Sequence, residues 1–180
     1  GTSSNYSVTE YDGTLTMEYG EAVALEVTAD SDSWTYNGQA HTLDSYTLKI
    51  GEGDPIAVGA DGTYTFDNGD VLTVVVEGSI TNVAESDVTN AITSLTIMNG
   101  AEDVSGAYSV TQNNGTLTVT AKPVTVTANS EGFTYDGQPH SNAGYDVVGL
   151  VGQDAITAVV TGSITYPSES PVTNVLTSYE

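Results

Sequence analysis

Apolar and polar residues alternate along most of this chain, so that every second side chain is hydrophobic and Thr or Ser lies between. The segments that begin at Leu15, Leu117 and Val124 show the pattern clearly. Such alternation is typical of antiparallel strands with one buried face. The longest apolar run, residues 71–76, has the length of a buried strand, and no stretch combines a helical period with capping residues. The pattern therefore predicts an all-β protein.

Asn-Gly and Asp-Gly pairs punctuate the alternating segments. They occur at residues 12–13, 37–38, 61–62, 68–69, 99–100, 114–115 and 136–137. Both pairs supply the positive φ angles that tight hairpins require. We expect two tandem antiparallel β-sandwich-like (Ig-like) modules. A short helical turn near residues 152–154 would fit the alternative, β-grasp-like modules with one short helix each.

Three blocks of sequence occur twice and in the same order, which is the signature of a repeat protein. Nine of fifteen positions are identical in the first pair and twelve of nineteen in the second. The pairs are residues 27–41 with 126–140, residues 76–94 with 160–178, and residues 6–16 with 108–118. These offsets predict a first unit over residues 1–121 and a second over residues 122–180.

The two units differ in length. The offset falls from 99 residues in the first block to 84 in the second, so the first unit has 15 extra residues, near 49–66. We expect this insertion to form an added hairpin or long loop at the surface, where insertions cost little. Residues 6–17 predict an N-terminal hairpin, whereas the second unit lacks the corresponding closing hairpin. That hairpin would pair with the first unit of its own chain or complete another copy by strand exchange.

The junction between the units contains one proline, Pro123, with strand-forming residues on both sides. Proline cannot donate to a β-ladder, so it belongs at a strand edge or at a break between sheets. A junction of this kind is stiffer than a Gly/Ser linker. We therefore expect the two modules to form an elongated rod.

The composition excludes several partners. With 24 acidic and 2 basic residues the net charge is −22, which is unsuited to nucleic acid or an anionic membrane surface. No apolar stretch is long enough to insert into a membrane. The absence of cysteine excludes disulfides and thiolate metal sites.

Acidic clusters make calcium the main candidate ligand. Asp30, Asp32, Asp67 and Asp70 offer the oxygen atoms that this cation prefers, although their spacing does not match the Asp-x-Asp-x-Asp-Gly…Glu calcium loop. The competing interpretation is a solvated acidic face that keeps the protein soluble, with no cofactor at all.

Catalysis is not expected. His41 and His140 occupy equivalent repeat positions and have no recognisable nucleophile or acid partner, so we expect them to pack or hydrogen-bond at the turn. Lys49 and Lys122 are not equivalent in the two units, which disfavours a repeated Lys–Asn cross-link. The sequence therefore predicts a non-enzymatic protein.

The repeated motifs resemble the MBG/YDG-type tandem repeats of bacterial cell-surface, adhesin-like proteins. The carriers are Tyr-Asp-Gly at residues 135–137, Gly-Leu-Val-Gly-Gln-Asp at 149–154 and Gly-Thr-Leu-Thr-Val at 115–119. The resemblance implies an extracellular stalk or spacer that projects an adhesive region and contacts neighbouring repeats. Two alternatives stay open: a binding module whose insertion at 49–66 contacts a host protein or glycan, and a Ca²⁺-stabilised adhesin repeat.

Overall fold

The structure, a computed structural model, describes Thr9, residues 11–16 and residues 20–180, and in these residues the protein is all-β. The strands are β1 (Val23–Ala29), β2 (Asp32–Thr35), β3 (Tyr46–Ile50), β4 (Ile56–Val58), β5 (Thr63–Thr65), β6 (Val71–Glu77), β7 (Val88–Asn99), β8 (Glu102–Asp103), β9 (Tyr108–Asn113), β10 (Gly115–Thr120), β11 (Thr125–Ala128), β12 (Tyr145–Val148), β13 (Ala158–Thr161) and β14 (Val175–Tyr179). The helical elements of the described residues are single 3₁₀ turns at Val83–Glu85, Ser105–Ala107 and Pro167–Glu169. The prediction of an all-β chain is confirmed, and residues 152–153 form a turn rather than a helix.

Two sheets of the first unit pack on one shared core. The order of strands is β4-β3-β1-β9 in one sheet and β2-β10-β7-β6-β5 in the other, with β8 paired to β7. Burial follows the alternation in the sequence: Leu25, Val27 and Ala29 of β1 point into the core, whereas Glu26 is exposed. Across the core, β6 and β7 contribute their own buried side chains, among them Leu72 and Ile97. Both of these residues are 0% exposed, as is Val27 of β1.

The expectation of purely antiparallel pairing is wrong at two places. β9 lies parallel to β1, and β10 lies parallel to β2. Residues 108–119 therefore do not form the closing hairpin that the sequence suggested, because β9 and β10 follow each other in the chain but join different sheets. Gly115 makes the crossing possible, since a Cβ there would overlap the carbonyl oxygens of Ala29 and Asp30.

The insertion near residues 49–66 forms the expected hairpin only in part: β4 pairs antiparallel with β3 across the exposed turn at residues 51–55, but the remainder is not confined to the surface. It supplies β4 to the edge of one sheet and β5 to the edge of the other, and these two strands do not pair with each other. Val58 is buried, while Tyr64 and Phe66 pack against the shared core. The insertion therefore widens both sheets, because its apolar residues alternate and can reach the core.

The second unit has fewer strands than the first. β11 pairs with β12, and β13 pairs with β14; these are the repeat counterparts of β1, β3, β6 and β7. Nothing within residues 122–180, all of which the structure describes, corresponds to β9 or β10. Val160 is the one buried apolar residue of that range.

The segment that links the units and the segment that begins the chain are both without regular structure where they are described. β10 ends at Thr120 and β11 begins at Thr125, so Pro123 lies in a break between sheets. Residues 11–16 form no strand, and Leu15 is fully exposed. The rest of the predicted hairpin at 6–17, residues 6–8, 10 and 17, lies outside the described residues.

Candidate functional site

A buried asparagine ties three segments together in the first unit. Asn90 lies on β7 with 0% exposure, and its Nδ2 donates to the backbone carbonyls of Asp30 and Leu43, each at 2.9 Å. The two carbonyls belong to the loop after β1 and to the loop before β3. One side chain thus connects both sheets.

The second unit builds the same contact. Nδ2 of Asn174 donates to the carbonyls of Asn129 and Asn142, each at 2.8 Å. These residues stand at the repeat offsets of the first set, 84 for the asparagines and 99 for the carbonyls. The repeat seen in the sequence is therefore a repeat of a tertiary contact.

A glycine faces each asparagine. A Cβ at Gly78 would lie 2.7 Å from Oδ1 of Asn90, and a Cβ at Gly162 would lie 2.7 Å from Oδ1 of Asn174. Both amide oxygens are buried without a hydrogen-bond partner. Each of these glycines is the first residue of a Gly-Ser-Ile-Thr motif, at residues 78–81 and 162–165. Glycine is required there because the asparagine amide occupies the space that a larger residue's side chain would need.

Both histidines stack on an aromatic ring and hydrogen-bond at the turn, as the sequence predicted. The His41 ring stacks on Trp34 with centroids 4.7 Å apart, and its Nε2 lies 3.0 Å from Oδ1 of Asn37. Its backbone forms an isolated bridge with Ile80. Each histidine thereby fastens its Tyr-x-Gly-Gln turn, residues 36–39 or 135–138, to the short segment between the preceding strand and the 3₁₀ turn.

In the second unit the histidine makes the same kinds of contact, except that its hydrogen-bond partner is a carboxylate instead of an amide. His140 stacks on Phe133 at 4.8 Å, and its Nε2 lies 2.9 Å from Oδ1 of Asp136, the residue that replaces Asn37. The backbone N–H of Gln138, followed by the His140 ring, holds the pKa of Asp136 below its usual value.

In the first unit, β10 fills a slot between β2 and β7. Leu117 has 0% exposure and Val119 1%, and both pack in a small cluster with Ile80. Two hydroxyls hold the backbone of β10: Ser31 Oγ accepts from the N–H of Thr116 at 2.9 Å, and Ser86 Oγ donates to the carbonyl of Val119 at 2.8 Å.

In the second unit, the equivalent slot is an open groove. Two adjoining cavities of about 380 and 360 Å³ share Phe133, His140 and Ile164 in their linings. Their walls also include the counterparts of residues that hold β10, namely Ser130, Gly162, Ser170 and Asn174. The consequence is exposure of apolar surface: Phe133 is 38% exposed, and Ile164 is half-buried where Ile80 is fully buried.

The carboxylates proposed as calcium ligands are dispersed. Asp30 accepts hydrogen bonds from the hydroxyls of Ser45 at 2.6 Å and Thr47 at 3.0 Å. Asp32 accepts from the N–H of Ser33 at 2.7 Å, and Asp67 is exposed.

Asp70 is buried and has three neutral donors. They are the Tyr108 hydroxyl at 2.6 Å, Asn99 Nδ2 at 2.7 Å and Asn68 Nδ2 at 2.8 Å. These donors, Tyr108 first, hold the pKa of Asp70 below its usual value. In the part of the chain that the structure describes, no three His, Cys, Asp or Glu side chains converge as a metal site would require.

A contact between the units was not visible in the sequence. Gly38, with φ +75°, is so close to the second unit that a Cβ there would lie 3.0 Å from Cγ1 of Val151. Nearby, hydrogen bonding to Asp154 and the charge of that carboxylate raise the pKa of Tyr36. The turn at residues 36–38 therefore packs against the loop at 151–154.

Comparisons with known protein families, with curated proteins and with solved structures return no match to this chain. Among the described residues, no helix has the length and apolar character needed to cross a membrane.

Proposed function

We propose that this chain is a structural repeat segment of a bacterial surface protein, acting as an extracellular stalk or spacer that projects an adhesive region. Its two Ig-like sandwich modules, residues 1–121 and 122–180, stand in tandem as a rod. The resemblance to MBG/YDG-type repeats motivates the class.

The observation that carries the proposal is the duplicated framework of interior contacts. The asparagine clamp (Asn90 or Asn174 with the two backbone carbonyls it binds), the histidine stack and the glycine that faces the amide each occur once per unit, at the repeat offsets of 84 or 99 residues. The residues that repeat are thus the ones that hold the fold. Repetition of a fold, rather than of a reactive cluster, is what a spacer needs, because each added unit adds length.

The insertion also supports a structural role. Its apolar side chains, Val58, Tyr64 and Phe66, face the core of the first unit rather than solvent. A host-binding role would use exposed residues of the insertion, such as the acidic turn at residues 51–55. A glycan array probed with the wild-type chain and with Glu52→Ala/Asp54→Ala would reveal such binding.

Small-angle scattering tests the rod. A compact globule of this length has a radius of gyration of about 16 Å. Two modules joined end to end through the short break at residues 121–124 give a clearly larger radius and a maximum dimension near the sum of the two modules. A compact radius, measured on dilution to the monomer, contradicts the rod.

A further inference from the structure

We propose that the groove of the second unit binds residues 13–17 of a second copy of this chain as an added strand, in the place that β10 occupies in the first unit. The proposal goes beyond a spacer function and does not depend on it. It concerns how one copy recognises the next.

The occupant is identified by its sequence. Residues 13–17 read Gly-Thr-Leu-Thr-Met, and residues 115–119 of β10 read Gly-Thr-Leu-Thr-Val. The preceding residues match too, since 6–9 and 108–111 both read Tyr-Ser-Val-Thr. The chain therefore contains two copies of this strand segment and two slots of the same construction.

One slot is filled and the other is open. The first unit already holds β10 between β2 and β7, and β9 beside β1, so it has no room for a second copy of either strand. In the described part of the N-terminal segment, Tyr11 is 89% exposed and Leu15 101%. An exposed segment, residues 11–16, and an open groove thus lie in the same chain.

The groove keeps most of the side chains that contact β10 in the first unit; the exceptions are Asp87, which accepts from Thr118 and is replaced by Pro171, and Leu43, which is replaced by Asn142. Leu15 takes the place of Leu117 against Ile164 and the bare face of Gly162, because Leu117 packs in the same way on Ile80 and Gly78. Ser130 and Ser170 hold the positions of Ser31 and Ser86, whose hydroxyls bind the backbone of β10.

Glycine is needed at the start of the added strand. Gly13 takes the place of Gly115, which approaches backbone carbonyls so closely that no Cβ fits. The carbonyls of Ala128 and Asn129 stand at the equivalent positions in the second unit. In the free segment, by contrast, a Cβ at Gly13 would meet nothing within 4 Å.

Backbone pairing supplies the rest of the binding. Residues 131–134, the counterpart of β2, form no strand in the structure, and neither do residues 172–174, the counterpart of the start of β7 on the other side of the groove. An added strand runs parallel to the first and antiparallel to the second, as β10 does with β2 and β7. Since the donor and the acceptor are different surfaces, the contact is heterologous and links copies head to tail, in an open chain or in a closed ring.

The test is the mass of the full chain in solution, measured by sedimentation from micromolar to millimolar concentration. We expect wild type to associate as the concentration rises. Leu15→Ala should weaken association by roughly tenfold or more, as the loss of a well-buried leucine implies. Gly13→Ala should also weaken it, because a Cβ at the equivalent Gly115 would overlap backbone carbonyl oxygens. Thr14→Ala is the matched control, because its counterpart Thr116 is exposed, and it should associate as wild type does.

A second measurement locates the contact. A synthetic peptide of residues 6–17, added to the Leu15→Ala chain, should shift the amide NMR signals of residues 131–134 and 172–174, and the same peptide with Gly13→Ala should not. A wild-type chain that stays monomeric overturns the proposal, as does association that survives Leu15→Ala. If wild type is monomeric and only Leu15→Ala binds the peptide, the segment occupies the groove of its own chain, and the second-copy assignment is wrong.

Discussion

Asn90→Ala removes the side chain that connects the two sheets of the first unit. Its Nδ2 satisfies two backbone carbonyls at 2.9 Å, and the fully buried position leaves no route for water to replace it. Each orphaned buried carbonyl costs about 1–3 kcal/mol, and loss of the unpaired Oδ1 offsets part of this. We expect the free energy of unfolding to fall by about 2–4 kcal/mol.

Asn174→Ala is the matched change in the second unit. The same two hydrogen bonds are lost, but Asn174 is half-buried beside an open groove, so water can reach the carbonyls. The cost should be nearer the net value of two ordinary hydrogen bonds, about 1–2 kcal/mol. Asn90→Asp should be worse than Asn90→Ala, because it buries a carboxylate against two carbonyl oxygens.

Urea unfolding monitored by tryptophan fluorescence measures these differences for the first unit, since Trp34 is the single tryptophan of the chain. Far-ultraviolet circular dichroism follows both units together. Thr89→Ala, an exposed neighbour on β7, is the control for strand propensity. If Asn90→Ala unfolds within about 0.5 kcal/mol of Thr89→Ala, the asparagine clamp does not hold the sheets together.

Three further predictions concern pH and ions. Because the pKa of Asp70 is lowered in the folded protein, its contribution to stability is present above the ordinary aspartate pKa and is lost as the pH falls through the folded pKa. In Tyr108→Phe this acid-dependent loss of stability should shrink, as measured by thermal melts at about pH 2 to 5. A pH profile equal to that of wild type would contradict the prediction. Burial, followed by the charge of Asp61, raises the pKa of Tyr46 to about 12. Wild type should therefore lose stability between about pH 10 and 12, whereas Tyr46→Phe should lose less. Equal losses in both proteins would refute this prediction. With a net charge of −22, NaCl should raise the melting temperature, and CaCl₂ should do no more than MgCl₂; stabilisation by micromolar Ca²⁺ alone would instead support the calcium hypothesis.

The strands and the repeat were predictable because their signals are local. Alternation places the buried residues of β1 correctly, and positive φ appears at the second residue of most Asn-Gly and Asp-Gly pairs, as at Gly38, Gly69 and Gly137. Gly115 is the instructive failure: its Asn-Gly pair looks like a hairpin signal, but the glycine is there for close approach to another segment. Sequence alone does not separate these two uses of glycine.

The sequence did not predict which strands pair with each other or which distant segments come into contact. β9 and β10 carry ordinary strand patterns, and only the arrangement of the whole unit sends them to different sheets. Asn90 was visible as one identical residue in a repeated block, but the carbonyls it binds lie 47 and 60 residues away in the chain. The groove of the second unit was not predictable for the same reason: the sequence predicted that this unit is incomplete, but it did not show which segments would border the gap.

The parallel pairing of β1 with β9 decides how the first unit responds to tension. The chain enters β1 at Val23 and leaves the unit through β10, which is itself held parallel to β2. Pulling on both ends therefore shears β10 against β2 and draws the parallel strands β1 and β9 in opposite directions. Their register runs from Val23 opposite Tyr108 to Thr28 opposite Asn113, and evenly spaced hydrogen bonds of this kind are loaded together in shear instead of opening one at a time. Under a stretching force, the first unit should therefore unfold at a higher load than an antiparallel hairpin of the same length pulled from its open end.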